Sequence, residues 1–196
     1  MNPNPFDYGW WLASRSAGVV AMVLLSVSVI LGLLMANGLP ARPGVKRTQL
    51  NIHESAALAG LVAIAVHGLT LLGDNYLHPG IVDIAVPFTI SYRPGFTGVG
   101  IIGGYLAAFL GLTFYTRKLI GNKRWRTIHR ATIIAWVLSV IHTLGGGTDA
   151  SAVWLQAILV VTGIPIVFLF IRRLIPEAAN PSIPDRRPRR ERRSDP

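Results

Sequence analysis

The stretch from Trp125 to Gly147, WRTIHRATIIAWVLSVIHTLGGG, contains a long apolar run with a histidine at each end, His129 and His142. A helix of about 20 mostly apolar residues spans the hydrocarbon core of a bilayer. Ionisable side chains in such a segment are costly and are usually functional. The stretch therefore predicts a membrane helix whose two histidines hold a ligand.

The composition of the whole chain also indicates a membrane protein. Of its 196 residues, 51% are hydrophobic and 14% are charged, whereas a soluble domain carries about 25% charge. The net charge of +10 does not indicate nucleic-acid binding, because the basic residues cluster between and after the apolar runs. The absence of cysteine excludes disulfides, thiolate metal sites and cofactors attached through sulfur.

Five apolar segments predict an all-α membrane protein, a bundle of five transmembrane helices. These segments are Ser16–Ala36, Ile52–Leu72, Phe96–Thr116, Ile128–Gly145 and Ala152–Ile171. The chain then divides into an outer N-terminal segment (1–15), a membrane domain (16–172) and a disordered Arg/Pro-rich cytoplasmic tail (173–196). The third segment carries Gly100 and Gly104 in GxxxG spacing, which lets another helix or a flat cofactor approach the backbone.

The basic residues predict the orientation of the bundle. Seventeen of the 19 Lys and Arg residues lie in 37–51, in 117–130 and in the tail from 172 onward, and only Arg15 and Arg93 lie on the other side. Because basic loops stay in the cytoplasm, we expect the N-terminus outside and the C-terminus inside. The expected location is the bacterial plasma membrane, as a multi-pass protein in contact with membrane lipids.

Four of the five histidines lie in or at the ends of the second and fourth segments. Both segments run outward, so His53 and His129 share the cytoplasmic end (the inner pair), and His67 and His142 share a level about four turns further out (the outer pair). The 14-residue spacing on the second segment places both rings on one face, about 20 Å apart along the axis. The 13-residue spacing on the fourth leaves an ideal helix about 140° short of a shared face, a conflict that periodicity does not resolve.

Histidines that face each other from two helices are the ligand set for bis-imidazole coordination of haem iron. Neutral imidazole is a common axial ligand, and helix-bundle cores commonly hold such sites. The sequence therefore predicts haem b at each level. For His53 an alternative stays open, because Asn51-x-x-Glu54 resembles a capping box and His53 could simply belong to a first helical turn. His78, in the LHPG turn, is expected to be a solvated loop residue.

Basic side chains near each pair are candidate partners for haem propionates, because arginine forms bidentate pairs with carboxylates. Membrane topology alone also explains their presence. The candidates are Arg93 on the outer side and Lys46, Arg47, Arg124 and Arg126 on the inner side.

Three stretches carry a family resemblance: HESAALAGLVAIAVH (His53–His67), YRPGFTGVGIIGGYLAAFLGLTFYTRKLIGNKRWRTIHR (Tyr92–Arg130) and HTLGGGTDA (His142–Ala150). Across all five segments the chain resembles the ferric reductase-like transmembrane domain family. That family includes the membrane part of NADPH oxidases and ferric reductases, and the haem-binding subunit of bacterial methionine sulfoxide reductase. The chain looks most similar to the stand-alone actinobacterial version.

The resemblance implies two haems, one between the inner pair and one between the outer pair, and it implies that the 13-residue spacing is compatible with ligation. The sulfoxide reductase subunit lacks a counterpart of His53, so a single haem is the alternative. NADPH oxidases continue into a cytoplasmic flavin and nicotinamide domain, but this sequence has no glycine-rich phosphate-binding fingerprint after a strand. We therefore expect a separate flavin reductase or a quinol as the electron donor.

The expected function is a b-type dihaem electron conduit, the membrane haem subunit of an oxidoreductase, which passes electrons from an inner donor to an outer acceptor. One alternative is a self-contained terminal reductase of ferric iron or another outer acceptor. Another is a haem-free transporter or structural subunit whose histidines relay protons. Such a relay would need carboxylates in mid-segment, and the five segments carry none there.

Overall fold

A computed structural model describes residues 8–39, 42 and 44–175. The first seven residues and nearly all of the predicted tail therefore lie outside the described residues. The helices are α1 (Gly9–Ala36), α2 (Val45–Thr70), α3 (Ile81–Ala85), α4 (Pro94–Leu112), α5 (Arg117–Ile120), α6 (Asn122–His129), α7 (Thr132–Gly146) and α8 (Val153–Leu174). A short 3-10 turn, Leu71–Gly73, extends α2. No strand occurs in the described ranges.

Five helical stretches are long and apolar enough to cross a membrane, which confirms the predicted all-α architecture with five candidate spans. They are α1, α2 with its 3-10 turn, α4, α6 together with α7, and α8. Large apolar side chains stay exposed along them, for example Val62, Phe109, Val161 and Ile164. Such surfaces are compatible with contact to lipid, in which apolar side chains need no burial against protein.

The first two helices begin earlier than the apolar segments predicted. α1 begins at Gly9 rather than Ser16, and α2 begins at Val45 rather than Ile52. Asn51 is therefore already in the second turn of α2 and cannot cap its N-terminus. The alternative interpretation of Asn51-x-x-Glu54 as a capping box was wrong, because a polar first turn precedes the apolar part of the helix.

The fourth span is not one continuous helix. α6 ends at His129, Arg130 and Ala131 form a turn, and α7 begins at Thr132. The angular conflict between His129 and His142 assumed an uninterrupted helix with 100° per residue. At the turn the backbone stays right-handed but tightens, with Ala131 N–H bonded to the carbonyl of Ile128 at 3.0 Å. Such a 3-10 turn adds rotation per residue, and both rings face histidines of α2.

The helix α1 runs through the middle of the packing. It packs along α2, and it also contacts α7 and α8, while α4 packs on α7. A buried cluster of Met22, Trp136 and Ile166 joins α1, α7 and α8. Within it the indole N–H of Trp136 donates to Oγ of Ser26 at 2.9 Å, so the buried indole keeps a polar partner.

By contrast, α2 and α7 barely touch each other. Both pack against other helices, α2 on α1 and α7 on α4. The backbones of α2 and α7 are therefore held apart by their neighbours, and His67 of α2 and His142 of α7 face each other across the space between them.

Candidate functional site

The structure brings the four span histidines together in two pairs. His53 faces His129 with 6.2 Å between ring centroids and an interplanar angle of 85°. His67 faces His142, also with 6.2 Å between centroids, and with an interplanar angle of 69°. The two levels thus share one spacing, although one helix is continuous and the other is interrupted. Their role as ligands stays a prediction.

The spacing of 6.2 Å within each pair fits one metal ion between two imidazoles. A metal–imidazole bond is about 2 Å long, and each bonded nitrogen is about 1 Å from its ring centre, so two trans imidazoles have centroids about 6 Å apart. If the two rings of each pair simply packed against each other, the distance between their centroids would have no reason to be equal at both levels. The residues present therefore fit a planar metallocofactor that needs two axial nitrogens.

Two serines of α1 hold the histidines of α2. Nδ1 of His67 lies 2.8 Å from the carbonyl oxygen of Ser14 and 3.0 Å from its Oγ. Nδ1 of His53 lies 2.8 Å from the carbonyl oxygen of Ser28 and 3.0 Å from its Oγ. Each hydroxyl in turn donates to the carbonyl of the same histidine, at 2.9 Å for Ser14 and 3.2 Å for Ser28.

These contacts determine which nitrogen carries the proton. A carbonyl oxygen only accepts, so Nδ1 of His53 and of His67 must be the donor. In a neutral imidazole the other nitrogen, Nε2, then keeps its lone pair. This is the state that an axial ligand requires, and hydrogen bonds of this kind also raise ligand basicity.

The partners on the other side of the pairs differ between the two levels. Nδ1 of His142 donates to the carbonyl of Phe96 in α4 at 2.9 Å, which again leaves Nε2 free. His129 has a buried Nδ1 without a hydrogen-bond partner within the described ranges. Its ring instead stacks on Trp125, with centroids 5.0 Å apart and an interplanar angle of 27°. Among the described residues, His129 is thus the one paired histidine without a hydrogen bond of normal geometry at Nδ1, although the backbone of Leu110 lies beside its ring.

Glycines let these rings lie close to the neighbouring backbones. A Cβ atom at Gly18 would stand 3.1 Å from Nδ1 of His67, and one at Gly32 would stand 3.2 Å from Cε1 of His53. Both distances are shorter than ordinary van der Waals contact, so a side chain at either position would push on a ring. α1 thus offers each histidine of α2 a serine to bind and a glycine to lie against.

A cavity of about 610 Å³ opens at the level of the outer pair. Both His67 and His142 line it, and its walls are mostly apolar. Its size falls in the range of roughly 300–1,000 Å³ that is typical of small-molecule and cofactor sites. Residues of six helices, α1 to α4, α7 and α8, contribute to the walls, including Gly18, Leu25, Ile64, Gly100, Gly104 and Ser139.

An ion pair borders this cavity. The guanidinium of Arg15 binds both carboxylate oxygens of Asp149, with 2.8 Å from Nη2 to Oδ1. It also lies 5.0 Å from the ring centre of Trp11 and 5.9 Å from that of Trp154. This ion pair connects α1 to the loop before α8. It lies next to Ser14 and the outer pair of histidines.

One buried carboxylate also faces the cavity. Asp74, just after the 3-10 turn, accepts the backbone N–H groups of Tyr76 and Leu77 at Oδ1, at 2.7 and 3.1 Å. Its Oδ2 is buried and has no partner in the part of the chain that the structure describes. Asp74 lies beyond the end of α2, so it is not the mid-span carboxylate that a proton relay would require.

The basic residues named as propionate contacts have different surroundings. Arg93 has a left-handed backbone conformation at the start of α4. Its Nη1 donates to the carbonyl of Gly145 at 2.7 Å, so it lies at the outer end of α7. The inner candidates are exposed on α2 and α6; these are Lys46, Arg47, Arg124 and Arg126. Contact with propionates stays a prediction for all five.

His78 stands apart from both pairs, exposed in the loop after α2. Within residues 8–39, 42 and 44–175, no three or more His, Cys, Asp or Glu residues form a group that could hold a metal ion on their own.

The residues that the sequence interpretation missed are Ser14, Gly18, Ser28 and Gly32. They form two Ser-x-x-x-Gly motifs 14 residues apart, which is the spacing of His53 and His67 on the antiparallel neighbour. This shared period was a readable signal. It was overlooked because small polar residues and glycines are common at helix interfaces in membranes.

Comparisons of this chain with protein-family models, with curated proteins and with solved structures give no match. The geometry of the histidine pairs must therefore carry the functional argument by itself, and the resemblance to the ferric reductase-like domain stays a prediction.

Proposed function

We propose that this protein is a b-type dihaem electron conduit, with one haem held by His53 and His129 and a second held by His67 and His142. The observation that carries the proposal is the repeated 6.2 Å spacing of two facing imidazoles at two levels of the bundle. Haem b, when bound, supplies reversible one-electron chemistry. Two levels separated by about 20 Å along α2 suit a relay across the hydrocarbon core.

The protein's own contribution is ligation, orientation and exclusion of water. The carbonyls of Ser14, Ser28 and Phe96 bind Nδ1 of three of the histidines, which leaves Nε2 as the nitrogen that would hold the haem. The mostly apolar walls of the outer cavity would limit the contact of a bound cofactor with water. A low-dielectric surrounding strengthens the electrostatic effect of each hydrogen bond on the site.

The proposed direction of electron flow follows from the predicted orientation, with the basic loops and the inner pair on the cytoplasmic side of a bacterial plasma membrane. A separate flavin reductase or a quinol would donate electrons at the inner pair. An acceptor outside the membrane would receive them near the outer pair, where Arg93 and Arg15 are the nearby cationic side chains.

The decisive experiment is a dithionite-reduced minus oxidised spectrum of the purified full-length protein, together with a haem-to-protein ratio. We expect a b-type spectrum and two haems per chain. His67→Ala and His53→Ala should each reduce the ratio to one, and the loop variant His78→Ala should leave it at two. A wild-type protein without haem would falsify the proposal. If the wild-type protein holds one haem per chain and His53→Ala leaves that ratio unchanged, the proposal loses its inner haem.

A further inference from the structure

The two Ser-x-x-x-Gly motifs of α1 place equivalent groups around the two histidines of α2. Ser14 and Ser28 both present a carbonyl at 2.8 Å and a hydroxyl at 3.0 Å to Nδ1. The same arrangement at two sites of one antiparallel helix pair is not needed for packing, which requires only small side chains. Both serines are buried, Ser14 at 2% exposure and Ser28 at 5%.

Each serine closes a small ring of hydrogen bonds with its histidine. The Oγ–H of Ser14 donates to the carbonyl of His67, so its lone pairs face Nδ1–H and can only accept from it. Nδ1–H is therefore shared between two acceptors, the carbonyl and the hydroxyl of one residue. Ser28 repeats this ring with His53. In both rings of hydrogen bonds, every donor and acceptor has a partner only when the imidazole proton is on Nδ1.

We propose that Ser14 and Ser28 are positioning residues, which fix the Nδ1–H tautomer of His67 and His53 and thereby lower the reduction potential of the haem at each level. The part of this inference that concerns potentials rests on the proposed haem function. Two acceptors on Nδ1–H make Nε2 a stronger electron donor. A stronger donor stabilises ferric over ferrous iron, so removing the hydroxyl should raise the potential.

The first test measures the potential of each haem by redox titration of the full-length protein. Ser14→Ala should raise the potential of the outer haem and leave the inner one unchanged, and Ser28→Ala should do the reverse. The conservative variants Ser14→Thr and Ser28→Thr keep a hydroxyl and should largely restore the potentials. Ser16→Ala, an exposed serine on the same helix, is the matched control.

Ser26→Ala is a second control, because Ser26 is buried like Ser28 but accepts its hydrogen bond from Trp136. It should reduce stability without shifting either potential. If Ser26→Ala and Ser28→Ala shift the inner potential equally, the effect is a general loss of packing and the proposal is wrong.

A second test does not depend on haem. Nitrogen-15 NMR of histidine in the haem-free protein should report Nδ1–H as the dominant tautomer of His53 and His67. Each Ser→Ala variant keeps the backbone carbonyl, so the Nδ1–H tautomer should persist. The Nδ1–H proton resonance of its own histidine alone should shift upfield, because one of the two acceptors is lost. A protein that binds no haem but has these tautomers would overturn the haem function and retain the positioning role. Two bound haems with unshifted potentials and unshifted Nδ1–H resonances in the alanine variants would overturn the positioning role alone.

Discussion

The ring of His142 lies directly against the backbone of Gly100, where an added Cβ atom would stand 2.4 Å from Nδ1 of the imidazole. Nothing larger than hydrogen fits between α4 and this ring. Four residues along α4, Gly104 faces Ile64 instead, and a Cβ there would stand at an ordinary contact distance of 3.4 Å from its Cγ2. The GxxxG pair thus combines a position that lies against a histidine ring with one that faces Ile64 and lines the cavity.

The first prediction compares these two glycines. Gly100→Ala should displace the ring of His142 and break its hydrogen bond to Phe96, with loss of most of the outer haem. Gly104→Ala should keep both haems, since alanine fits at 3.4 Å and stabilises a helix by about 1 kcal/mol over glycine. The haem-to-protein ratio measures both effects. Equal haem contents in the two variants would show that the ring of His142 does not depend on Gly100.

The second prediction concerns the angle between the paired rings. The interplanar angles of 85° and 69° are both far from parallel. Low-spin ferric haem with nearly perpendicular axial imidazoles keeps two iron d orbitals close in energy, which gives a highly anisotropic signal in electron paramagnetic resonance. We expect such signals from both haems, with the inner one more anisotropic. His53→Ala should remove the more anisotropic signal, and a rhombic three-line spectrum from either site would contradict the observed ring orientations.

The third prediction arises from the difference between His129 and His142. His142 is held by a hydrogen bond to Phe96, whereas His129 stacks on Trp125 and has no bond at Nδ1 in the described ranges. Loss of such an orienting partner typically weakens metal binding by about 10–100-fold. The inner haem should therefore transfer to an apo-haem acceptor protein faster than the outer haem, by at least about tenfold.

Variants of Trp125 test the reason for this difference. Trp125→Phe keeps an aromatic face and should change the transfer rate little, while Trp125→Leu should accelerate loss of the inner haem and leave the outer one unaffected. We expect haem transfer in two kinetic phases, one for each haem. The His67→Ala and His53→Ala proteins, each expected to hold a single haem, show which phase belongs to which haem. Faster loss from the outer site would contradict the prediction.

The pairing of histidines was predictable because it follows from helix direction alone. Two segments that run the same way place His53 beside His129 and His67 beside His142 in depth, whatever their rotation. The rotation of His129 was not predictable, because hydropathy does not register the turn at Arg130 that separates α6 from α7. The early starts of α1 and α2 were not predicted for a similar reason. A search for apolar segments stops where the polar residues of the same helix begin.

The contribution of α1 was the larger omission. Ser14 and Ser28 have no chemical feature that marks them as partners of histidine, and their contacts arise only when α1 packs antiparallel to α2. The repeated 14-residue period on both helices is informative once that packing is assumed. Sequence thus predicts the ligand candidates more readily than the groups that orient them, because orientation depends on contacts between helices.

The fourth prediction concerns the ion pair of Arg15 and Asp149 beside the outer cavity. Asp149→Asn should leave Arg15, which lies close to the rings of Trp11 and Trp154, without its charged partner. Hydrogen bonds to charged groups contribute about 1.5–3 kcal/mol when partly buried, so the variant should unfold at a lower Tm.

The Asp149→Asn variant should also loosen the loop before α8, which would admit water to the cavity and accelerate reoxidation of the reduced outer haem by a soluble acceptor. Stopped-flow measurement of that rate, with Glu54→Gln as a control that removes one charge outside the cavity, separates the local effect from a change in net charge. An unchanged rate with a lowered Tm would restrict the role of the ion pair to stability.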